Sequence, residues 1–307
     1  MSNARFCFFA FRTLLRRTII TACLGVVCNA AVAQVELVSP ARDDPQRTEL
    51  AEPFEIIDGI FFVGGRIHLP SYLFTTSEGH ILLDTAFDEN VPEIIANIRK
   101  LGFDPEDVKL LLSSHAHHDH VGGHSNMREI TGAITIASAA DADVIESGGA
   151  TDFRDTGLWP PATVDRIIVD GEQVKLGDRV LTAHFTPGHT KGCTTWTTVV
   201  EEDGKQYDLV VLGGLNVNKT EPLIDNPRYP DMPQQFAWSF ARLKVLPVDV
   251  YLGAHGYWYG LNEKREQMLA GGDTNPFIDP EGYQNAIRFF ENAYLERLKN
   301  ETYDDAE

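Results

Sequence analysis

Apolar and polar residues change rhythm several times along the chain. From Phe54 the stretches FEIIDGIFFVGG, SYLFTT and HILLDTAF are rich in the β-branched and aromatic residues that favour strands, and Ser77-Glu78-Gly79 supplies a tight turn between the last two. Between Val91 and Leu101 the apolar positions fall at Val91, Ile94, Ile95 and Ile98, the spacing of a helix with one buried face. Asn90 offers a cap at its start and Gly102 a stop at its end. Val108 to Leu112 is an apolar run that reads as a buried strand leading into SSHAHHDHVGG. A mixed stretch follows, then RIIVDGEQVKLGDRVLTAHFTPGHT, whose short strands are parted by Asp170-Gly171 and Gly177-Asp178. DLVVLGG reads as another buried strand, Gln234 to Leu246 as a helix, VDVYLGAHG as a strand entering a loop, and Tyr283 to Lys299 as a closing amphipathic helix. Strands alternate loosely with helices, which predicts sheets in the middle and helices outside. Residues 34–52 are polar and read as an irregular lead-in.

The N-terminus reads as an address. Residues 1–33 hold Arg5, Arg12, Arg16 and Arg17 and no acidic residue, then an apolar stretch from Thr18 to about Ala30, then Ala31-Val32-Ala33. A basic segment, a short apolar one and an A-x-A site make a secretory signal peptide with cleavage after Ala33. The apolar run falls short of the ~20 residues a membrane span needs. The expected mature protein, residues 34–307, is one large domain, periplasmic, monomeric and free of the membrane. Removing the four arginines from 26 basic residues leaves 22 against 45 acidic ones, a formal balance of −23. Such a surface repels polyphosphate and excludes nucleic acid as a partner. Cys7, Cys23 and Cys28 leave with the signal, so Cys193 has no partner for an intrachain disulfide.

The chemistry concentrates in His115-Ala116-His117-His118-Asp119-His120, four histidines and a carboxylate in six residues of a chain with ten histidines. The run follows a buried strand, at the end where open sheets place their sites. Imidazole and carboxylate without thiolate suit zinc, although iron or manganese would accept them too. One run cannot wrap a metal alone. His189 in Pro187-Gly188-His189-Thr190 and His255 in Gly253-Ala254-His255-Gly256 each follow a strand on a glycine-flanked turn. A lone histidine on a turn is as a rule a surface residue, so spacing leaves both readings open for each.

The H-x-H-x-D-H run, the downstream GHT and the late histidine resemble the metallo-β-lactamase superfamily. PPATVDRIIVDGEQVKLGDRVLTAHFTPGHTKGCTTW, with LNVN and DNPRYPDM further on, resembles class B, subclass 3 enzymes, and the similarity runs from about Phe54 to the C-terminus. The resemblance implies an α/β fold, a four-layer αβ/βα sandwich with the metals at the edge of two central sheets. It also implies two zinc ions, the first held by His115, His117 and His189, the second by Asp119, His120 and His255. Asp119 becomes the catalytic carboxylate. His118 falls between ligands, facing solvent or backing the site, His184 reads as a buried structural residue, and His68, His80 and His124 as surface ones.

Two features separate the chain from neighbouring families. Glyoxalase II and the lactonases place a bridging aspartate after the strand read here as DLVVLGG, where this chain has Gly213-Gly214 and no carboxylate until Glu221. Gly214 also stands where subclass 3 enzymes commonly carry a serine near the substrate carboxylate, a place Asn216 or Asn218 could fill. Cys193, in the GHT-x-G-S/C pattern, reads as structural and not as a ligand. The loop Thr151 to Pro161 offers Phe153, Leu158 and Trp159 as substrate walls, or simply as packing.

A water shared by two zinc ions has its pKa lowered toward about 7 and needs no serine nucleophile. The chain has no S-x-x-K, G-x-S-x-G or H-E-x-x-H. The expected activity is therefore opening of the β-lactam amide by this activated water, with no covalent acyl-enzyme. The alternatives are a related hydrolase acting on a lactone or thioester, and an exported zinc-binding protein without activity.

Overall fold

The computed structural model describes residues 37, 39–154, 157–218, 220–272 and 274–304; the expected signal peptide lies outside them. Residues Val35–Glu307 form one compact unit. No described helix is long and apolar enough to cross a membrane.

Two sheets carry the fold. The first holds seven strands in sequence order: β1 (Phe54–Ile57), β2 (Ile60–Phe62), β3 (Tyr72–Thr76), β4 (Gly79–Leu83), β5 (Val108–Leu112), β6 (Ile134–Ser138) and β7 (Arg166–Ile168). β1 to β4 pair antiparallel, and β4 to β7 run parallel to one another. The second sheet has the order β12-β11-β10-β9-β8, from β8 (Gln173–Leu176), β9 (Arg179–Phe185), β10 (Thr194–Glu202), β11 (Lys205–Leu212) and β12 (Val250–Gly253); only β11 and β12 pair parallel.

The apolar runs that hide the period-two pattern are strands buried on both faces. Tyr72 and Phe74 of β3, Ile81 and Leu83 of β4, and Leu110 and Leu112 of β5 join the core that also takes Leu181, Ala183, Trp196 and Val211 of the second sheet. The alternate residues Leu73, Leu82 and Leu111 turn outward against Val91, Ile94, Ile95 and Ile98. These last four sit on α2 (Val91–Lys100), which follows α1, a single turn at Pro45–Thr48 in the lead-in. Around the first sheet follow α3 (His118–Val121), α4 (His124–Thr131) and α5 (Ala139–Glu146). Against the second lie α6 (Met232–Leu243), α7 (Leu261–Ala270) and α8 (Pro280–Asp304). Helix, sheet, sheet, helix is the four-layer αβ/βα order.

Gly102 ends α2 at φ 91°, as its sequence position predicts. Asn90 does not cap: it closes a 3-10 turn at Asp88–Asn90, and its amide donates to Glu93 Oε2 at 3.2 Å instead. His68, His80 and His124, read as surface histidines, are all buried. Each ring is absorbed by packing or one hydrogen bond: His68 on the Gln46 carbonyl, His80 against Phe103, His124 on Thr85.

Candidate metal centre

The parallel strands β4 and β5 end side by side, with Leu83 opposite Leu112. Asp84, one residue beyond β4, adopts φ 63° and turns its carboxylate toward the loop that leaves β5. Oδ1 accepts the Ser114 N–H at 2.7 Å; Oδ2 accepts the Ser114 hydroxyl at 2.7 Å and lies 2.9 Å from His120 Nδ1. A second buried carboxylate, Asp141 of α5, accepts the Ala116 N–H at 3.1 Å. Two carboxylates therefore pin the loop from either side before α3 carries Asp119 and His120 inward.

The second sheet supplies the rest. His189 lies in the connection from β9 to β10, and its Nδ1 donates to the Asn216 carbonyl, just beyond β11, at 2.7 Å. His255 follows β12. All six residues expected at the site converge. The rings of His115, His117 and His189 lie with centroids 4.7–4.8 Å apart, and their nitrogens fall within 4.8 Å of one another. His115 and His120 are 4.0 Å apart and join this trio to the second one. There His120 and His255 lie 4.9 Å apart, and Asp119 Oδ2 is 3.5 Å from His120 Nε2 and 4.0 Å from His255 Nε2.

The electrostatics suit a cation. Burial, and then the neighbouring rings, hold His115 and His117 far below the usual imidazole range. Burial also brings His189 and His255 down to about 3, so these four rings are neutral at pH 7 with lone pairs to give. His120 is the exception: burial opposes its proton, but Asp119 and Asp84 outweigh burial and push it up to about 10. The same proximity keeps the Asp119 carboxyl ionised, against the upward push of its own burial. The Nε2 atom of His115 is buried without a hydrogen-bond partner, a costly state that metal ligation relieves. Imidazole nitrogens with one carboxylate and no thiolate are a zinc donor set, and the residues fit such an ion in two overlapping groups, His115 with His117 and His189, and His115 with Asp119 and His120.

Cys193 is not among them. It is buried, with Sγ 3.0 Å from the Gly214 amide and 3.3 Å from its carbonyl, and burial lifts the thiol to about 12. Gly214 is glycine for a steric reason: a Cβ there would stand 2.3 Å from His189 Cδ2 and 3.0 Å from Cys193 Sγ. At Gly213 a Cβ would meet the Thr194 carbonyl at 2.8 Å. Neither position has room for a serine or an aspartate against these neighbours.

Asn216 lines a cleft of about 720 Å³ with Asn218, Tyr257, Trp258 and Phe289. Tyr257 stacks on His255 with centroids 5.4 Å apart, which ties this cleft to the cluster. Another cleft, about 560 Å³ between β8, β9 and β10, holds none of the six residues. Trp159, expected as a substrate wall or simply as packing, is 6% exposed, stacks on His118 and joins Ala116, Val121 and Ile145 in a small apolar cluster. His118 is thereby held between Trp159 and Phe87. Leu158 is exposed, while Phe153 is buried on Tyr229 beside a small cavity it shares with His189. His184 is half-buried, bonded to Thr197 and Arg242. Sequence reasoning missed Asp84, Asp141 and Tyr257. An acidic residue ending the apolar run HILLD was the available signal for the first.

The family model of the metallo-beta-lactamase superfamily matches residues 65–202. The native FEZ-1 metallo-beta-lactamase from Legionella gormanii aligns with TM-score 0.80 and 40% identity over 82% of this chain and 97% of its own. BJP-1, a subclass B3 metallo-beta-lactamase of Bradyrhizobium japonicum, aligns with TM-score 0.79 and 34% identity over 84% and 98%. Among curated sequences, the N-acyl homoserine lactonase AttM of Azorhizobium caulinodans is 28% identical over 45% of this chain; the chain spans 62% of that protein's length. The chain belongs to the metallo-β-lactamase superfamily. Within it, the structural matches place the chain with the class B3 enzymes.

Proposed function

We propose that the protein is a β-lactamase that opens the lactam amide with two zinc ions. One observation carries the reading: His115, His117 and His189, and likewise His115, Asp119 and His120, bring their ligand atoms within 4.8 Å of one another, with no room for a bridging carboxylate at Gly213 or Gly214. His115, His117 and His189 would hold one ion, Asp119, His120 and His255 the other. When bound, such ions supply a Lewis acid for the carbonyl and a water acidified to near neutrality. The chain's own residues do the remaining work. Asp119, ionised and at 31% the most exposed of the six side chains, would present a carboxylate oxygen that orients the attacking water and accepts its hydrogen bond. Asp84, Ser114 and the Asn216 carbonyl fix three of the rings, so little reorganisation accompanies reaction. Asn216 and Asn218 lie at the cleft beside His189 and would take the polar groups of the substrate. Phe153, behind His189, shapes that side of the site from within. The reading includes export of residues 34–307 to the periplasm as a monomer.

The competing reading is a lactone hydrolase, favoured by the curated lactonase relatives. Purified protein incubated with a chromogenic cephalosporin and with an acyl-homoserine lactone, with and without added zinc, separates the two. Zinc-dependent opening of the cephalosporin is the expected result, lost by at least 100-fold in Asp119→Ala. Lactone turnover with an inert cephalosporin would sink the β-lactamase reading and leave the metal centre standing.

A further inference from the structure

The histidine rings of the cluster share a pattern. Each turns one nitrogen inward, and for three of them the outward nitrogen has a defined partner: Ser114 Oγ at 3.1 Å for His115, Asp84 Oδ2 at 2.9 Å for His120, and the Asn216 carbonyl at 2.7 Å for His189. His117 is turned the other way round. Its Nδ1 faces the cluster, 3.1 Å from His189 Nε2, so its Nε2 faces out. That Nε2 is buried with no hydrogen-bond partner, and Asp152 Oδ2 lies 3.7 Å from it. The two side chains are 5% and 3% exposed.

Asp152 is held firmly in this place. Its N–H donates to the Gly149 carbonyl, and its own carbonyl accepts from the Arg228 guanidinium. On the next two residues, Phe153 packs on Tyr229 with centroids 4.9 Å apart and Arg154 pairs with Glu221 at 3.1 Å. Three consecutive residues are thus braced against the segment between β11 and α6, and the carboxylate is delivered by a fixed stretch of chain.

We infer that Asp152 is a positioning residue of the metal centre: it accepts the Nε2–H of His117 and so keeps the Nδ1 lone pair directed at the first ion. A neutral imidazole carries a single N–H, and a carboxylate beside one nitrogen sets which of the two is bare. Carboxylate–histidine–metal arrays of this kind raise ligand basicity and fix ring orientation, and loss of the outer partner costs about 10–100-fold in metal affinity. A small rotation of the ring closes 3.7 Å to the ~2.8 Å of a charge-assisted hydrogen bond. The inference rests on the metal-binding reading of the site.

The test is zinc affinity of the full chain, measured by competition with a chromophoric chelator, for wild type, Asp152→Ala and Asp152→Asn. The expected result is about a tenfold or greater loss at one of the two sites in Asp152→Ala, and a smaller loss in Asp152→Asn, whose amide oxygen accepts more weakly. In cobalt-substituted protein the shifted, exchangeable N–H resonance of His117 is expected to move in Asp152→Asn, which a merely structural role would not cause. Wild-type affinity in Asp152→Ala overturns the inference. So does an affinity loss matched by an equal loss of thermal stability in the zinc-free protein and absent from Asp152→Asn. A wild-type chain that takes up no zinc would overturn the metal reading itself, a separable failure.

Discussion

At the scale of single residues, the site is organised by what fits beside His189. The ring lies against Gly214 so closely that any Cβ there would overlap it, and the Cys193 sulfur fills the other side. Gly214→Ser is therefore expected to displace His189 from the cluster. Zinc content measured by atomic absorption should fall toward one ion per chain, and stability should drop by about 1–3 kcal/mol in denaturant titration, the usual cost of overpacking. Two bound ions and an unchanged midpoint in Gly214→Ser would show that the pocket yields more easily than its geometry implies. Asn216 and Asn218 line the neighbouring cleft, and the proposed substrate contacts fall to them.

At the scale of elements, α5 reaches under the metal-binding loop through one carboxyl group. Burial, followed by the nearby Asp152 charge, pushes Asp141 up to about 7, although the Ala116 N–H works against the shift. In the unfolded chain the same group titrates near ~3.9. Between those values the folded state keeps a proton that the unfolded state has released, so stability is lost as pH rises from about 4 to about 7 and is level above. Asp141→Asn removes the titration while keeping an oxygen for Ala116. Its stability relative to wild type is expected to climb across that window by up to a few kcal/mol and then plateau. Urea midpoints at pH 5 and pH 8 would check it, and equal differences at both would refute it. A second junction joins α7 to the start of α8. Lys264, 5% exposed among Tyr251, Tyr259 and Phe277, meets Asp279 Oδ2 at 2.8 Å, and Asp279 Oδ1 accepts the Gly282 N–H at the head of α8. Asp279→Ala strands a buried ammonium and is expected to cost about 3–5 kcal/mol, whereas Lys264→Met, which fills the same apolar cage, costs much less. Thermal melts of the two variants that came out equal would contradict this ordering.

Much of this was legible before any coordinates. The strands, the helix at Val91, the closing helix and the six clustered residues follow from periodicity and from the H-x-H-x-D-H resemblance. What escaped was of one physical kind: side chains that act through another residue across a long sequence gap. Asp84 lies 36 residues from His120, and Asp141 sits 25 residues from the amide it holds. Neither spacing has a period to betray it. Trp159 could be read from the sequence as a wall or as packing, since an aromatic residue on a loop has no period to separate the two; in the structure it stacks on His118.

At the scale of the whole molecule, the cluster joins residues carried by both sheets, which also share one apolar core. His115, His117, Asp119 and His120 leave the end of β5 in one sheet; His189 and His255 come from the other. No disulfide is available to the described residues, whose one cysteine is the buried Cys193. Ions that bind only the folded arrangement stabilise it by mass action, by about 4 kcal/mol per site at a thousandfold excess over Kd. For a domain of this size each kcal/mol is worth roughly 2–4 °C in Tm. Dialysis against a chelator at pH 7 should therefore lower the melting temperature by on the order of 10 °C or more, and added zinc should restore it along with activity. The two responses need not run in parallel. An ion in either site ties the sheets, whereas the proposed chemistry needs both, so during zinc titration Tm is expected to rise ahead of turnover. Calorimetry that showed the stripped protein melting where the loaded one does would mean the loops hold their arrangement without help, and that the buried, partnerless nitrogen of His115 costs the fold less than its surroundings imply.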